Sequence, residues 1–436
     1  MSYHSVLAVE LTQFQYPCIL RIPADRSRGN LFDEQTEMFI QRLLVTRKRL
    51  MRHDVFRPVA VALHNKSILR FKLSTIDDIK SSCNVKLQKK VVLASIRLGS
   101  EGSYVLEDDT GIVNSDLKSA RFHDGYICEN SMVLAEGYFD NLVFVVSAIG
   151  MPPIEPANAS RSQYSNLNLF VRDESCHWSN ERLRDIEYHS ENNIIVILTD
   201  VYLNSHTSLK ALRALFTGYS TRDPPPTAFI FCGNFLSTIA PVKEEDLKQG
   251  FLNISKIILQ FETLCNECWF IFVMGPEDYG LDVAFPRPQI KHYEECFGNR
   301  LKYLSVCSNP VWLTYCTQTF VIFREDLLQK LLKNCINKRM SPEKNISQHM
   351  IRTILSQAHL CPLPLSYQPI YWRYDHALRL DVLPDLLIIA DSSCPVFSEK
   401  QNDCLIVNPN SFSSGQFYFT TYQPYSRTCK NCKIDT

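Results

Sequence analysis

Apolar and polar positions change period along the chain, and the changes divide it. From Glu34 to about Arg52, Phe39, Leu43, Leu44 and Leu50 recur at helical spacing, which predicts an amphipathic helix within a lead-in of residues 1–60. Its other side carries Arg42, Arg47, Lys48, Arg49 and Arg52. Charge runs ordinarily solvate, so a solvated face is expected, with a DNA-facing or partner-facing patch as the alternative. Residues 61–150 read instead as short apolar segments: Ile68–Leu73, Val91–Ile96, Ser103–Leu106, Ile112–Leu117, Met132–Tyr138 and Leu142–Ala148. Turn signals separate them, notably Asp108-Asp109-Thr110-Gly111 and Phe139-Asp140-Asn141.

Five or six strands in so short a span predict a small Greek-key barrel of the OB type. Tyr104, Phe122 and Tyr126 could serve it as stacking platforms for single strands, but Glu107, Asp108 and Asp109 lie beside them. Core packing of these rings, and protein rather than DNA contact, is the expectation. Pro152, Pro153 and Pro156, among Ser and Asn, then mark a linker, assigned with a short helix to residues 151–189.

Residues 190–436 change character again. Ile194–Thr199, Ala228–Cys232, Trp269–Met274 and Leu386–Ala390 are unbroken apolar runs, with helices expected near Ser208–Phe216, Glu244–Cys268 and Ile346–Ala358. Buried strands alternating with helices predict a largely parallel α/β sheet, here with added antiparallel pieces.

Composition narrows the class. Apolar residues form 45% of the 436 and charged residues 21%, which suits folded domains. Lys+Arg and Asp+Glu are each 46, so no basic excess supports a stand-alone DNA binder. The sixteen cysteines lie mostly in apolar runs and read as reduced, buried thiols of an intracellular protein. No membrane segment is expected. Two C-x-x-C pairs, Cys265/Cys268 and Cys429/Cys432, raise a zinc site. The first pair continues a helical apolar stripe, so it reads as core, and the second is expected in a frayed tail.

The strand ends carry the candidate chemistry, because ligands in open α/β folds gather there. They are Asp200 and Tyr202, Asn234 and Ser237, Glu277 and Asp278, then His359 and Asp391. Their order resembles the calcineurin-type metallophosphoesterases, whose active members carry D-x-H, G-D-x-x-D, G-N-H-D/E and later histidines. Here those motifs read Asp200-Val201-Tyr202, Gly233-Asn234-Phe235-Leu236-Ser237, Gly275-Pro276-Glu277-Asp278 and Ala390-Asp391-Ser392-Ser393. A dinuclear centre, its ions about 3.5–4 Å apart, needs a bridging carboxylate and several His, Asn and Asp ligands. Asn234 is neutral, Tyr202 is a poor ligand and Pro276 has no donor, so the cleft is expected to be vestigial, with no catalytic residue, metal or cofactor. A residual metal-dependent phosphoesterase remains the enzymatic alternative.

A degenerate phosphoesterase domain behind an OB barrel resembles the B subunits of replicative polymerases. Longer strings resemble that of DNA polymerase epsilon: Gly218-Tyr219-Ser220, the run Pro224–Phe235, Ser356–Leu365, Tyr371–Arg379, Val382–Asp391, and in the barrel Leu106–Gly111 and Val133–Phe139. The likeness runs from about residue 35 to 425. It implies an OB barrel followed by an inactive calcineurin-like sandwich. It also implies a non-catalytic nuclear scaffold that binds the C-terminal, metal-containing region of the catalytic subunit and other epsilon subunits. Such a scaffold meets DNA through the complex, in replication and repair. A single-strand-binding module is the rival. Family members begin with a helical domain contacting the replicative helicase assembly, whereas this chain starts near where that domain's linker would end, which puts helicase contact in question. The family's Asn-Pro-Gly-Ser-Phe reads Asn408-Pro409-Asn410-Ser411-Phe412, where Asn is expected to keep the turn.

Overall fold

The computed structural model describes residues 10–11, 31–57, 71–81, 88–99, 102–163, 180–237, 243–280, 283–336, 345–414 and 416–434. It divides into two compact units. One contains 1–20, 157–327 and 382–436, the other 21–156 and 328–381. The α/β region expected over 190–436 is therefore interrupted, since 328–381 belongs with the barrel. Residues 164–179 of the expected linker lie outside the described residues, as does the first half, 68–70, of the expected strand Ile68–Leu73.

The barrel unit closes on itself. Lys90–Leu98 pairs antiparallel with Tyr104–Glu107, which pairs antiparallel with Ile112–Asp116. Ile112–Asp116 runs parallel to Val143–Gly150. That strand pairs with Met132–Asp140, which returns to Lys90–Leu98. Five strands thus form a ring without free edges, which removes the edge-pairing hazard. Alternate positions such as Val92, Ala94, Ile96, Val133, Ala135, Phe144 and Val146 fill the interior. The Asp108 carboxylate accepts the Thr110 and Gly111 amides at 2.8 and 3.0 Å, making the expected turn.

The other face of Lys90–Leu98 is covered by the helix Leu31–Arg52, through Leu43 and Leu50 against Leu93 and Met132. The arginines of this helix are not a free patch. Arg47 holds Asp109 at 2.5 and 2.8 Å, and Arg52 holds Glu155 at 2.6 and 2.8 Å. Arg49 is buried 3.5 Å from the same Glu155, and Arg42 pairs with Asp375. The solvated face expected from the pattern is thus largely a set of ion pairs within the unit, although Lys48 is exposed. The helix Ile346–Gln357 docks by polar bonds. Thr353 and Gln357 accept the Tyr126 and Met132 amides at 2.7 and 2.8 Å.

The α/β unit has two six-stranded sheets. In one, Tyr303–Cys307, Trp269–Val273, Ala228–Cys232 and Ile195–Thr199 are parallel neighbours, extended by the antiparallel Tyr418–Gln423 and Thr428–Lys433. In the other, Val311–Tyr315, Gln318–Arg324, Leu386–Ala390, Cys404–Asn408 and Phe397–Gln401 follow in that order, with Glu10–Leu11 beside Val311–Tyr315. The unbroken apolar runs arise because each strand feeds two cores. Ile195, Ile197, Ile230 and Ile271 meet Ile322, Ile388 and Val407 between the sheets. Val196, Leu198, Phe231 and Phe272 face the helices His206–Ser220 and Glu244–Ile258. The Phe231 and Phe272 rings stack at 4.7 Å, and truncating either would cost about 3–5 kcal/mol.

The helix expected to run unbroken to Cys268 ends at Ile258, and Glu262–Glu267 forms a separate turn of helix. Cys265 and Cys268 are buried, as the stripe predicts, and burial pushes both thiols up. Cys429 and Cys432 sit not in a frayed tail but on the paired strand Thr428–Lys433. No helix among the described residues is long and apolar enough to cross a membrane.

Candidate functional site

Parallel register brings the strand ends level. Cys232 lies opposite both Thr199 and Val273, so Asp200, Gly233-Asn234 and the 275–278 turn emerge together. Two glycines permit this approach. A Cβ on Gly233 would collide with the Asp278 carboxylate, and one on Gly275 with the Asn234 side chain. Asp200 itself is left-handed, with φ of 50°. In that conformation its Oδ1 accepts the Asn234 amide at 3.2 Å and faces a cation from the opposite sheet.

That cation is Arg324, at the end of Gln318–Arg324, with a side chain wholly removed from solvent. Nη2 donates to Asp200 Oδ1 at 2.9 Å, and Nη1 to Asp326 Oδ1 at 2.8 Å and the Ala390 carbonyl at 3.1 Å. Nε donates to the Gly233 carbonyl. One guanidinium therefore joins strand ends of both sheets. Burial opposes its charge, but Asp200 and Asp326 more than offset that and raise its pKa. Asp326 is correspondingly held low against its own desolvation, whereas burial leaves Asp200 raised despite Arg324. Nothing in the sequence motifs pointed to Arg324. The available signal was an arginine closing the apolar run Phe320–Phe323.

Asp278, Asn234, Glu277 and Asp391 are committed to backbone or to neighbouring side chains. Asp278 accepts the Gly275 and Phe235 amides at 2.7 and 2.8 Å, yet burial pushes its pKa up to about 6. Asn234 exchanges two bonds with Glu277, at 3.1 and 3.2 Å. Tyr202 is half-buried, and desolvation followed by Asp200 and Glu277 raises its phenol. The Ser237 amide is held by Asn204 at 3.0 Å. Asp391 follows the 386–390 strand and turns back onto Ser393 at 2.6 and 2.8 Å.

His359 does not join this group. It belongs to the barrel unit, where Asp375 and Arg42 each lie 3.1 Å from Nε2. The Cys361 amide donates to Nδ1 at 3.1 Å. Nδ1 is thus an acceptor, so Nε2 carries the proton and gives it to Asp375. Burial, then Arg42, lowers the imidazole to about 4. The expectation of His359 as a cleft residue fails because the chain leaves the α/β unit between 328 and 381. Tyr126, weighed as a stacking platform, is fully buried and bonded to the Ile346 carbonyl. Tyr104 and Phe122 pack against the barrel core.

This donor set does not fit a dinuclear metal centre. The bridging position is a neutral amide already bonded twice to Glu277, these strand ends supply no histidine among the described residues, and a fixed cation holds Asp200. Among the described residues no group of three His, Cys, Asp or Glu side chains is placed to hold a metal ion.

The family models that match this chain define a class, that of the polymerase B subunits. The family model for the B subunits of DNA polymerases alpha and epsilon matches residues 195–399, and the DNA polymerase epsilon subunit 2-like OB-fold domain matches 32–153. The chain is 38% identical over 416 residues to DNA polymerase epsilon subunit 2 of Homo sapiens, covering 93% of this chain and 77% of that protein. It is 33% identical to the protein of that name from Drosophila melanogaster, over 95% of this chain and 77% of the other. The crystal structure of TT1561 of Thermus thermophilus aligns with 56% of this chain and 99% of that one, at 13% identity and a TM-score of 0.31. The chain belongs to the DNA polymerase epsilon subunit 2 family.

Proposed function

We propose that this chain is a non-catalytic scaffold subunit of a DNA polymerase epsilon complex. It holds the C-terminal region of the catalytic subunit, joins the other epsilon subunits, and supports chromosomal replication and repair in the nucleus. Its α/β unit is a calcineurin-like phosphoesterase sandwich whose chemistry has lapsed. The observation that carries this reading is the guanidinium of Arg324 between Asp200 and Asp326. Two-metal hydrolysis needs cations with open coordination positions for the attacking and leaving oxygens. A guanidinium whose donors are engaged by carboxylates and carbonyls offers none. The single-strand-binding alternative loses support because its aromatic platforms are engaged in packing.

The test is co-purification of this chain with the C-terminal region of the catalytic subunit, by size-exclusion chromatography with light scattering. A one-to-one complex that survives moderate salt is expected. Two folded proteins that elute separately would refute the scaffold role. In parallel, no metal-dependent hydrolysis of a nitrophenyl phosphodiester is expected with added manganese. Robust turnover abolished in Asp200→Ala would refute the lapsed chemistry.

A further inference from the structure

The hairpin joining Met132–Asp140 to Val143–Gly150 turns in two residues, Asn141 and Leu142, between the paired Asp140 and Val143. Both are left-handed, with φ of 47° and 65°. Two-residue turns with both central residues left-handed match the twist of the flanking strands, and they favour Asn or Asp followed by Gly. Asn141 satisfies that rule and Leu142 breaks it, because a Cβ is disfavoured in this conformation. Leu142 is also the most exposed large hydrophobic side chain among the described residues, at 78%. One residue therefore combines an unfavourable backbone state with an unfavourable surface, and glycine would relieve both. The turn needs the conformation but not the leucine, and a residue held in a disfavoured backbone state where glycine would serve is a pointer to function.

The surroundings indicate what Leu142 meets. Asn114 pairs in parallel with Val143, so Ile112, 49% exposed, emerges at the same end of the barrel. Asp140 is exposed beside the tip, and Asp108 lies in the adjoining turn, bonded to neutral amides. Carboxylates here repel phosphate, which disfavours nucleic acid. They suit a protein pocket with an apolar floor and a basic rim.

We propose that Leu142 is an anchor that inserts into such a pocket on the catalytic subunit of the polymerase epsilon complex. This rests on the scaffold reading above, and the experiment separates the two. Affinity of the full 436-residue chain for the purified catalytic subunit is titrated for wild type, Leu142→Gly and Leu142→Met, with thermal midpoints measured alongside. Leu142→Gly is expected to bind at least about tenfold more weakly, as hot-spot truncations do, while its thermal midpoint stays level or rises. Leu142→Met, which keeps an apolar tip, is expected to bind within about threefold of wild type. Wild-type binding with undiminished affinity in Leu142→Gly overturns the anchor and leaves the scaffold standing. Weaker binding accompanied by a lowered midpoint also overturns it, because the turn would then serve the barrel. A folded wild-type chain that does not bind overturns both.

Discussion

Replacing Arg324 with alanine removes a fully buried cation from between two carboxylates and two carbonyls. The variant loses charge-assisted bonds to Asp200 and Asp326 at 2.9 and 2.8 Å, the bond to Ala390 at 3.1 Å and the bond to Gly233. It also leaves Asp200 almost wholly buried with no counter-charge. Breaking a buried ion pair from one side costs roughly 3–5 kcal/mol. At about 2–4 °C per kcal/mol for a unit of this size, the thermal midpoint should fall by roughly 6–20 °C. The sign with pH is fixed. Without Arg324, Asp200 is raised further, the folded state holds its proton more tightly than the unfolded state, and the penalty grows as pH rises. Differential scanning calorimetry at pH 5 and pH 8 measures both effects. Millimolar guanidinium, which fits the vacated cradle, should restore part of the lost midpoint in the variant and leave wild type unchanged. An Arg324→Ala midpoint within about 2 °C of wild type, or a larger deficit at pH 5 than at pH 8, would refute the reasoning.

Asp278, raised to about 6, holds its proton more tightly folded than unfolded, so its contribution, on the order of 3 kcal/mol, is present at acid pH and lost as pH rises through 6. Asp278→Asn should remove that component from the stability–pH profile measured by urea titration. His359 runs the other way. Lowered to about 4, it costs stability as pH falls from 6.5 toward 4, and its imidazole should remain neutral by NMR at pH 5.5, where a protonated spectrum would contradict the burial argument. Glu155→Ala strands the buried Arg49 and should cost about 3 kcal/mol, whereas Arg47→Ala breaks a half-exposed pair and should cost under about 1 kcal/mol, both read from urea midpoints. Gly233→Ala should destabilise by more than about 2 kcal/mol, because its Cβ meets the Asp278 carboxylate and the Gly275 amide rather than a flexible side-chain end.

What the sequence determined by itself was local. The runs at 228–232 and 386–390 matched the strands to the residue, because a strand buried on both faces must be apolar throughout. The Asp108 turn and the helix expected from Glu34 to about Arg52, which the structure begins at Leu31, were also legible, since their signals lie within a few residues of each other. The polar strand ends Asp200, Asn234, Glu277 and Asp278 were found for the same reason, each marking where an apolar run stops. What joined them was decided only by the tertiary structure. Arg324 reaches Asp200 across 124 residues, and no periodicity carries a pairing at that separation. His359 left the cleft because residues 328–381 pack with the barrel, where Arg42, 317 positions away, and Asp375 receive it. The helix arginines looked solvated in sequence because their partners, Asp109, Glu155 and Asp375, come from other elements. Periodicity reports which face of an element is buried, whereas the partner of a charge is set by chain paths that bring distant segments together.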